Sequence, residues 1–320
     1  MVTEEQISSA ADLIRRGELV AFPTETVYGL GANAMDPVAV AGIFELKGRP
    51  KFDPLIVHIC ESIDIEMLVQ SIPPLAQRLM ATYWPGPLSL ILKKNAIVPD
   101  IVTAGLDSVA IRFPAHPIAQ QLIRTADVPV SAPSANRFGM ISPTTAKHVA
   151  DQFGDSLACI DGGPCTIGVE STVLSFLQSD SEPQLLRHGG ITQEQVEEIT
   201  GPIRSHLHEE SQPTSPGQLS RHYSPRTPMK IAGQGIAPES LVENGSKAGV
   251  LSLRPFEPNH KFAAYEALSE SGCLREAAAN LFAAMRRLDA MGLDLIIAES
   301  VPEIDLGRAI MDRLNRAAAS

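Results

Sequence analysis

The sequence predicts an α/β protein: a mixed sheet with helices over the first two-thirds, then a small doubly wound α/β unit. Three observations predict this. Short apolar runs alternate with amphipathic helical patterns along the chain. Before residue 190, apolar runs follow one another with no helix between them, which calls for some antiparallel pairing. From residue 229 onward the pattern is a repeated strand–helix alternation.

Residues 3–16 form the first helix. Thr3 and Gln6 make a capping box, Ile7, Ala10, Ala11 and Ile14 share a face, and Gly17 ends it. Residues 19–22 are a strand. Asp36 and Pro37 are the N-cap and first turn of a helix through Leu46. Residues 55–59, 88–92, 109–113 and 128–132 read as strands, and 73–82 and 117–125 as helices. Ser142-Pro143 starts a helix to about Phe153, and strands follow at 157–160, 172–177 and 184–187. A helix over 193–199 closes the unit. Residues 201–228, rich in Pro, Ser and His without periodicity, read as a linker. In the tail, 229–232, 248–253 and 294–298 are strands, and 238–244, 273–291 and 307–319 are helices.

The 320 residues suggest about two domains. The four cysteines, Cys60, Cys159, Cys165 and Cys273, show neither CxxC pairs nor zinc spacing, so free thiols in a reducing cytoplasm are expected. No apolar run reaches the ~20 residues of a membrane helix. The polar N-terminus reads as neither signal nor transit peptide. Net charge is −11; residues 1–212 carry 14 Lys+Arg against 25 Asp+Glu. No segment forms a broad basic face, which argues against non-specific nucleic-acid binding. Positive charge belongs inside a cleft.

Seven polar motifs punctuate the first unit: FPTETVYGLGA (22–32), KGRPKFDPLIVH (47–58), VAIRFP (109–114), SAPSAN (131–136), SPTTA (142–146), GVEST (168–172) and LLRHG (185–189). Each sets hydroxyls or basic groups in a Gly/Pro-shaped turn beside an apolar run, the chemistry of a carboxylate or phosphate site. Arg112 and Arg187 interrupt apolar strands, where an unpaired charge is costly, so each should meet a protein carboxylate or a ligand. Two such arginines favour a ligand. Lys47, Arg49 and Lys51 suit phosphates equally well as they suit a solvated helix end. Ser142 reads as a helix cap or, with Ser131, Ser134 and Asn136, as part of an anion site. His58 fits a satisfied core histidine, and Thr24 and Thr26 a hydroxyl-bonded turn. Glu170 suits a metal ligand, a base or a partner for an arginine. Residues 29–34 fit the dinucleotide fingerprint GxGxxA, and 233–238 nearly do, but in neither place does the context complete it. There is no Walker loop.

In this order the motifs resemble the YrdC-like family. PTETVYGLG, the KxRP…PLIVH block, WPGPLSLIL (84–92), SAPSAN with SPT, and GVESTV carry the likeness. The linker SPGQLSRHYSP (215–225) and the tail extend it, more loosely, to the family's long two-domain form. The resemblance implies an open twisted mixed sheet with a deep positive cleft. It implies a catalytic domain over 1–212, a linker or lid over 213–228 and a small Rossmann-like domain over 229–320. It also implies a cytoplasmic nucleotidyltransferase that makes threonylcarbamoyl-AMP and pyrophosphate from L-threonine, bicarbonate and ATP, with Mg²⁺ on the phosphates. The product would pass to a tRNA-modifying transferase.

By motif, the resemblance assigns Thr26, His58, Arg112, Ala132 and Ser171 to threonine. It assigns Lys47, Arg49, Asp53, Ser108, Ser134, Ser142, Arg187 and, as a lid, Tyr223 to ATP. Arg112, Lys47 and Arg49 carry the catalytic charge, since every reactant is or bears an anion. Three positions depart from the family pattern: Asp53 where Asn is usual, Gln218-Leu219-Ser220 in the lid, and Ser175 after ESTV. Two other readings remain, an RNA-binding module in tRNA handling or ribosome assembly and, less favoured, a carbamoyl transferase of the hydrogenase-maturation kind.

Overall fold

The structure, a computed structural model, describes residues 2–178, 182–205, 222–243, 245–255 and 261–319. Gln218, Leu219 and Ser220 of the expected lid lie outside the described residues. The first unit contains α1 (Glu4–Arg15), β1 (Val20–Phe22), β2 (Gly29–Asn33), α2 (Pro37–Lys47), β3 (Ile56–His58), α3 (Pro74–Tyr83), β4 (Leu88–Lys93) and α4 (Asp100–Thr103). It continues with β5 (Ser108–Arg112), α5 (Pro117–Ala126), β6 (Val130–Ser131), α6 (Ala146–Phe153), β7 (Ala158–Cys159), β8 (Thr172–Ser175), β9 (Gln184–Arg187), α7 (Gln193–Thr200) and β10 (Arg204–Ser205). The second unit has β11 (Met229–Ala232), β12 (Ala248–Ser252), β13 (Phe262–Ala267), α8 (Leu274–Asp289), β14 (Leu295–Glu299) and α9 (Gly307–Ala318).

The first sheet runs β10-β9-β8-β4-β5-β3-β6-β2-β1-β7 and is mixed. β3 and β5 are parallel, as are β4 and β8, while β4–β5, β3–β6 and β8–β9 are antiparallel. The capping box at Thr3 and the Asp36-Pro37 helix start are present as the sequence implies. Helices α1 and α5 bury Ile7, Ala10, Ile14, Leu122 and Ile123 against β1 and β6. Helices α2 and α3 pack with Leu30, Val57, Leu90 and Ile111 in the main core. The opposite face, with Ile56, Ile91, Ala110, Val173 and Leu186, is the floor beneath the candidate site.

The second sheet, β11-β14-β12-β13, is wholly parallel. Both α8 and α9 bury Leu281, Phe282, Ile310 and Leu314 in one core with Leu251 and Ile296. That core also takes Val27, Ile141, Val169 and Tyr223 from the first unit and the linker, so apolar packing welds the units together.

Two expectations change, and strands β2 and β13 were not foreseen. Residues 29–33, for which the sequence suggested no element, are a strand antiparallel to β1; a Cβ on Gly31 would lie 2.8 Å from the Phe22 ring, so this glycine serves close packing. Helix α6 begins at Ala146 with Thr145 as its cap, because the Pro143 and Thr144 carbonyls accept the Tyr28 and Cys165 amides instead of helical ones. Residues 238–241 are only a 3-10 turn. Strand β13 was unforeseen because FAAYEA lacks a clear apolar alternation.

Gly168 shows how tightly the units approach. It sits at φ +79°, and a Cβ there would fall 2.3 Å from the Ala278 carbonyl oxygen. Gly168→Ala should therefore lower stability by about 1–3 kcal/mol from backbone strain alone. The check is the urea midpoint; an unchanged midpoint would mean the seam yields freely.

Candidate active site

The parallel register of β3 and β5 places His58 beside Arg112, and antiparallel β4 places Ser89 on Arg112's other side. Ser89 Oγ meets Ser171 Oγ at 2.7 Å. Arg187, at the end of β9, donates from Nε to the Ser171 carbonyl and from Nη2 to Ser171 Oγ, both at 3.0 Å. Strand pairing thus gathers His58, Arg112, Ser171 and Arg187 from four separated motifs. A cavity of about 50 Å³ opens among them, lined also by Thr24, Arg49, Ala132, Ser134, Glu170, His222 and Tyr223.

The cations are held in different ways. Arg112 donates from Nη2 to Glu25 Oε1 at 2.6 Å and from Nε to the Gly86 carbonyl at 3.3 Å. A protein carboxylate therefore answers part of the charge that the sequence left to either a carboxylate or a ligand. Among the described residues no protein acceptor meets its Nη1, and Arg112 still lines the cavity. Arg49 donates to the carbonyls of Asp53 and Pro54 and lies 2.9 Å from Asp53 Oδ1. That pair is close in distance but unaligned, and both Asp53 oxygens lack a hydrogen-bond partner. Lys47, 3% exposed, donates to the carbonyls of Ser134 at 2.6 Å and Asn136 at 2.5 Å. Neutral carbonyls orient an ammonium without cancelling its charge. Burial, then the neighbouring Arg49, pushes the Lys47 pKa well below the usual lysine range. Burial also raises that of Asp53, against the pull of Arg49.

Histidines around the cavity are neutral. Burial first, then Arg112, takes His58 down to about 3, and its Nδ1 has no protein partner. Burial, then Arg49 and Lys47, lowers His222 far below its ordinary value. Burial also lowers His188 to about 4, as it does His148 farther off. Tyr223, fully buried at φ +61°, stacks on Phe282 of α8 with centroids 5.5 Å apart.

Of the residues singled out from sequence, Arg49, His58, Arg112, Ala132, Ser134, Ser171, Arg187 and Tyr223 line the cavity. Thr26 stands one step behind, 2.8 Å from Thr24 Oγ1. Lys47 and Asp53 touch lining residues, and Ser142 donates to Glu170 Oε1 at 2.6 Å. Ser108 is at the far end of β5, four positions from Arg112, and is absent from the cavity wall. Glu170 pairs with neither strand arginine but with Arg313 of α9 at 2.9 Å. Sequence reading missed Arg313 because nothing local marks a helical arginine as buried. His222 was missed too, as its neighbour Tyr223 carried the lid motif.

No group of three His, Cys, Asp or Glu side chains among the described residues could hold a metal. The unbonded Asp53 carboxylate fits a Mg²⁺ ion brought by triphosphate, since Mg²⁺ commonly takes one or two carboxylates plus phosphate oxygens. No helix is long and apolar enough to cross a membrane, among the described residues.

Comparisons with known proteins converge. The Sua5/YciO/YrdC family, described as telomere recombination, matches residues 12–189. The C-terminal domain of threonylcarbamoyl-AMP synthase matches residues 191–319. A threonylcarbamoyl-AMP synthase from Pyrococcus abyssi is 44% identical over 99% of this chain and 95% of its own. One from Bacillus subtilis is 46% identical over 98% and 93%. The crystal structure of P. abyssi Sua5 complexed with L-threonine superposes with TM-score 0.92 at 44% identity, covering 99% of this chain and 95% of that one.

The neutral histidines have a thermodynamic signature. A group whose folded pKa lies below its unfolded value binds its proton in the unfolded chain first, so stability falls as pH drops below about 6.5. His58, down at about 3, goes on costing stability throughout the range to pH 4. Each such histidine contributes a slope of up to about 1.4 kcal/mol per pH unit. Urea unfolding between pH 7 and pH 5 should show a shallower slope for His58→Gln than for the parent; equal slopes would mean His58 is protonated in the folded protein.

Proposed function

Since the chain belongs to the YrdC-like family in its two-domain Sua5 form, we propose that it is a threonylcarbamoyl-AMP synthase. It combines L-threonine, bicarbonate and ATP and releases pyrophosphate, and its product serves tRNA threonylcarbamoyl-adenosine formation. The observation that carries the reading is a cavity walled by Arg49 and Arg112 and backed by Lys47, whose own hydrogen bonds go to neutral carbonyls. Buried cations so placed favour anionic guests.

In this reading the threonine carboxylate meets the Nη1 side of Arg112, which Glu25 holds from the other side. Neutral His58 offers Nδ1 as a polar contact without adding charge. Thr26, Ala132 and Ser171 complete the threonine half. The free threonine amine attacks the carbon of CO2, releasing a proton, or of bicarbonate, where a C–O bond breaks and water leaves; either route gives a carbamate. A carbamate oxygen then attacks the α-phosphorus of ATP, and the bond to the bridging oxygen of pyrophosphate breaks. Lys47, Arg49 and Arg187 neutralise the charge that builds on the phosphates, and Ser134 and Ser142 supply hydroxyls. Asp53 would hold a Mg²⁺ ion brought by ATP, which would supply further neutralisation of the phosphates. Ser108 contacts the nucleotide only if ATP extends along β5 beyond the present cavity.

That cavity is far below the roughly 300–1,000 Å³ of ordinary small-molecule sites. Tyr223 and His222 wall it, so in this reading the lid withdraws to admit ATP and recloses over it. Pyrophosphate release from ATP should require both threonine and bicarbonate; release that ignores either would refute the reaction. In the charge-neutral pair Glu25→Gln with Arg112→Gln, kcat/KM for threonine should fall at least 100-fold, about 2.7 kcal/mol. Near-parental kinetics would remove Arg112 from the carboxylate site.

A further inference from the structure

The second unit's contribution to the site is concentrated in one side chain. Arg313 on α9 is 0% exposed, the largest fully buried side chain described. Its Nε donates to Glu170 Oε2 at 2.9 Å, and its Nη1 donates to the His188 carbonyl at 2.9 Å and to Asp312 at 2.6 Å. Its guanidinium carbon lies 5.1 Å from the centroid of the Tyr223 ring. Glu170 accepts from Ser142, His188 follows Arg187, and Tyr223 is the lid. One cation thus touches three segments that wall the nucleotide half of the cavity. Helix α9 also meets the lid through its backbone, the Arg316 carbonyl accepting the His222 amide at 3.4 Å.

A mere clasp between units explains this poorly. Burying a guanidinium costs several kcal/mol before its partners repay it, and apolar packing already joins the units. Arg308 with Glu194 supplies a more exposed ion pair across the same seam. Arg313 Nη2, buried, has no hydrogen-bond partner. Its arrangement suits holding a ring and a carboxylate in place better than maximising adhesion.

We propose that Arg313 is a positioning residue for the reaction: from the second unit it fixes Glu170 and seats the Tyr223 ring over the cavity. The nucleotide half is then complete only when both units are docked. This rests on the function proposed above, but its first readout does not. In the full-length protein, the His222 and Ser224 amides donate to the Arg316 and Gly139 carbonyls, so their hydrogen exchange reports lid seating.

In Arg313→Gln these amides should exchange at least 10-fold faster, with β4 and β5 amides unchanged. KM for ATP should rise at least 10-fold while the Kd for threonine stays within 3-fold. Arg313→Lys, which keeps charge but loses the fork, should fall between. Parental exchange and parental KM in the Gln variant overturn the proposal, as does a threonine Kd that moves as much as the KM for ATP. If β4 and β5 also exchange faster, the Lys variant decides: partial loss confined to the lid supports the proposal, and parental behaviour overturns it. A parent protein that releases no pyrophosphate refutes the proposed reaction, and the exchange arm still judges Arg313.

Discussion

A charged side chain sunk at the end of a β-strand has to be answered by something other than water, and the architecture around this cavity follows from that requirement. Lys47, Arg49, Arg112, Arg187 and Arg313 are all buried, as are the carboxylates of Glu25, Asp53 and Glu170. Desolvating each ion costs several kcal/mol. Ion pairs and carbonyls orient the cations, yet Lys47 is answered mainly by neutral dipoles. The interior holds that arrangement only because the surrounding cores are dense enough to impose it.

The sheet is what brings the charges together. Parallel β3 and β5 set His58 against Arg112, while β4, β8 and β9 bring Ser89, Ser171 and Arg187 to the same place. The opposite side of the cavity is built from another part of the chain. Phe282 of α8 supports Tyr223, and Arg313 of α9 reaches Glu170. The shared apolar core with Val27, Ile141 and Val169 makes the second unit a wall of the cleft rather than an appendage.

Much of this was legible in the sequence, for identifiable reasons. Asp36-Pro37 and the Thr3–Gln6 box are local hydrogen-bonding signals, and the helices they announce are present. Arg112 and Arg187 were conspicuous because a charge inside an apolar strand is anomalous wherever it folds. What failed or was not foreseen depended on distant contacts. The Gly29–Asn33 segment became a strand because β1 and β6 flank it. The helix start moved from Ser142 to Thr145 because Tyr28 and Cys165 claim the intervening carbonyls. The Glu25–Arg112 pair spans 87 positions and the Glu170–Arg313 pair 143, distances no local pattern encodes.

A crystal structure with L-threonine and a non-hydrolysable ATP analogue tests the account most directly. The account predicts the threonine carboxylate within hydrogen-bond distance of Arg112, the triphosphate between Lys47, Arg49 and Arg187, and the Tyr223 ring moved to cover the nucleotide. Ligands bound elsewhere, with Arg112 still engaged only by Glu25 and Gly86, would contradict it.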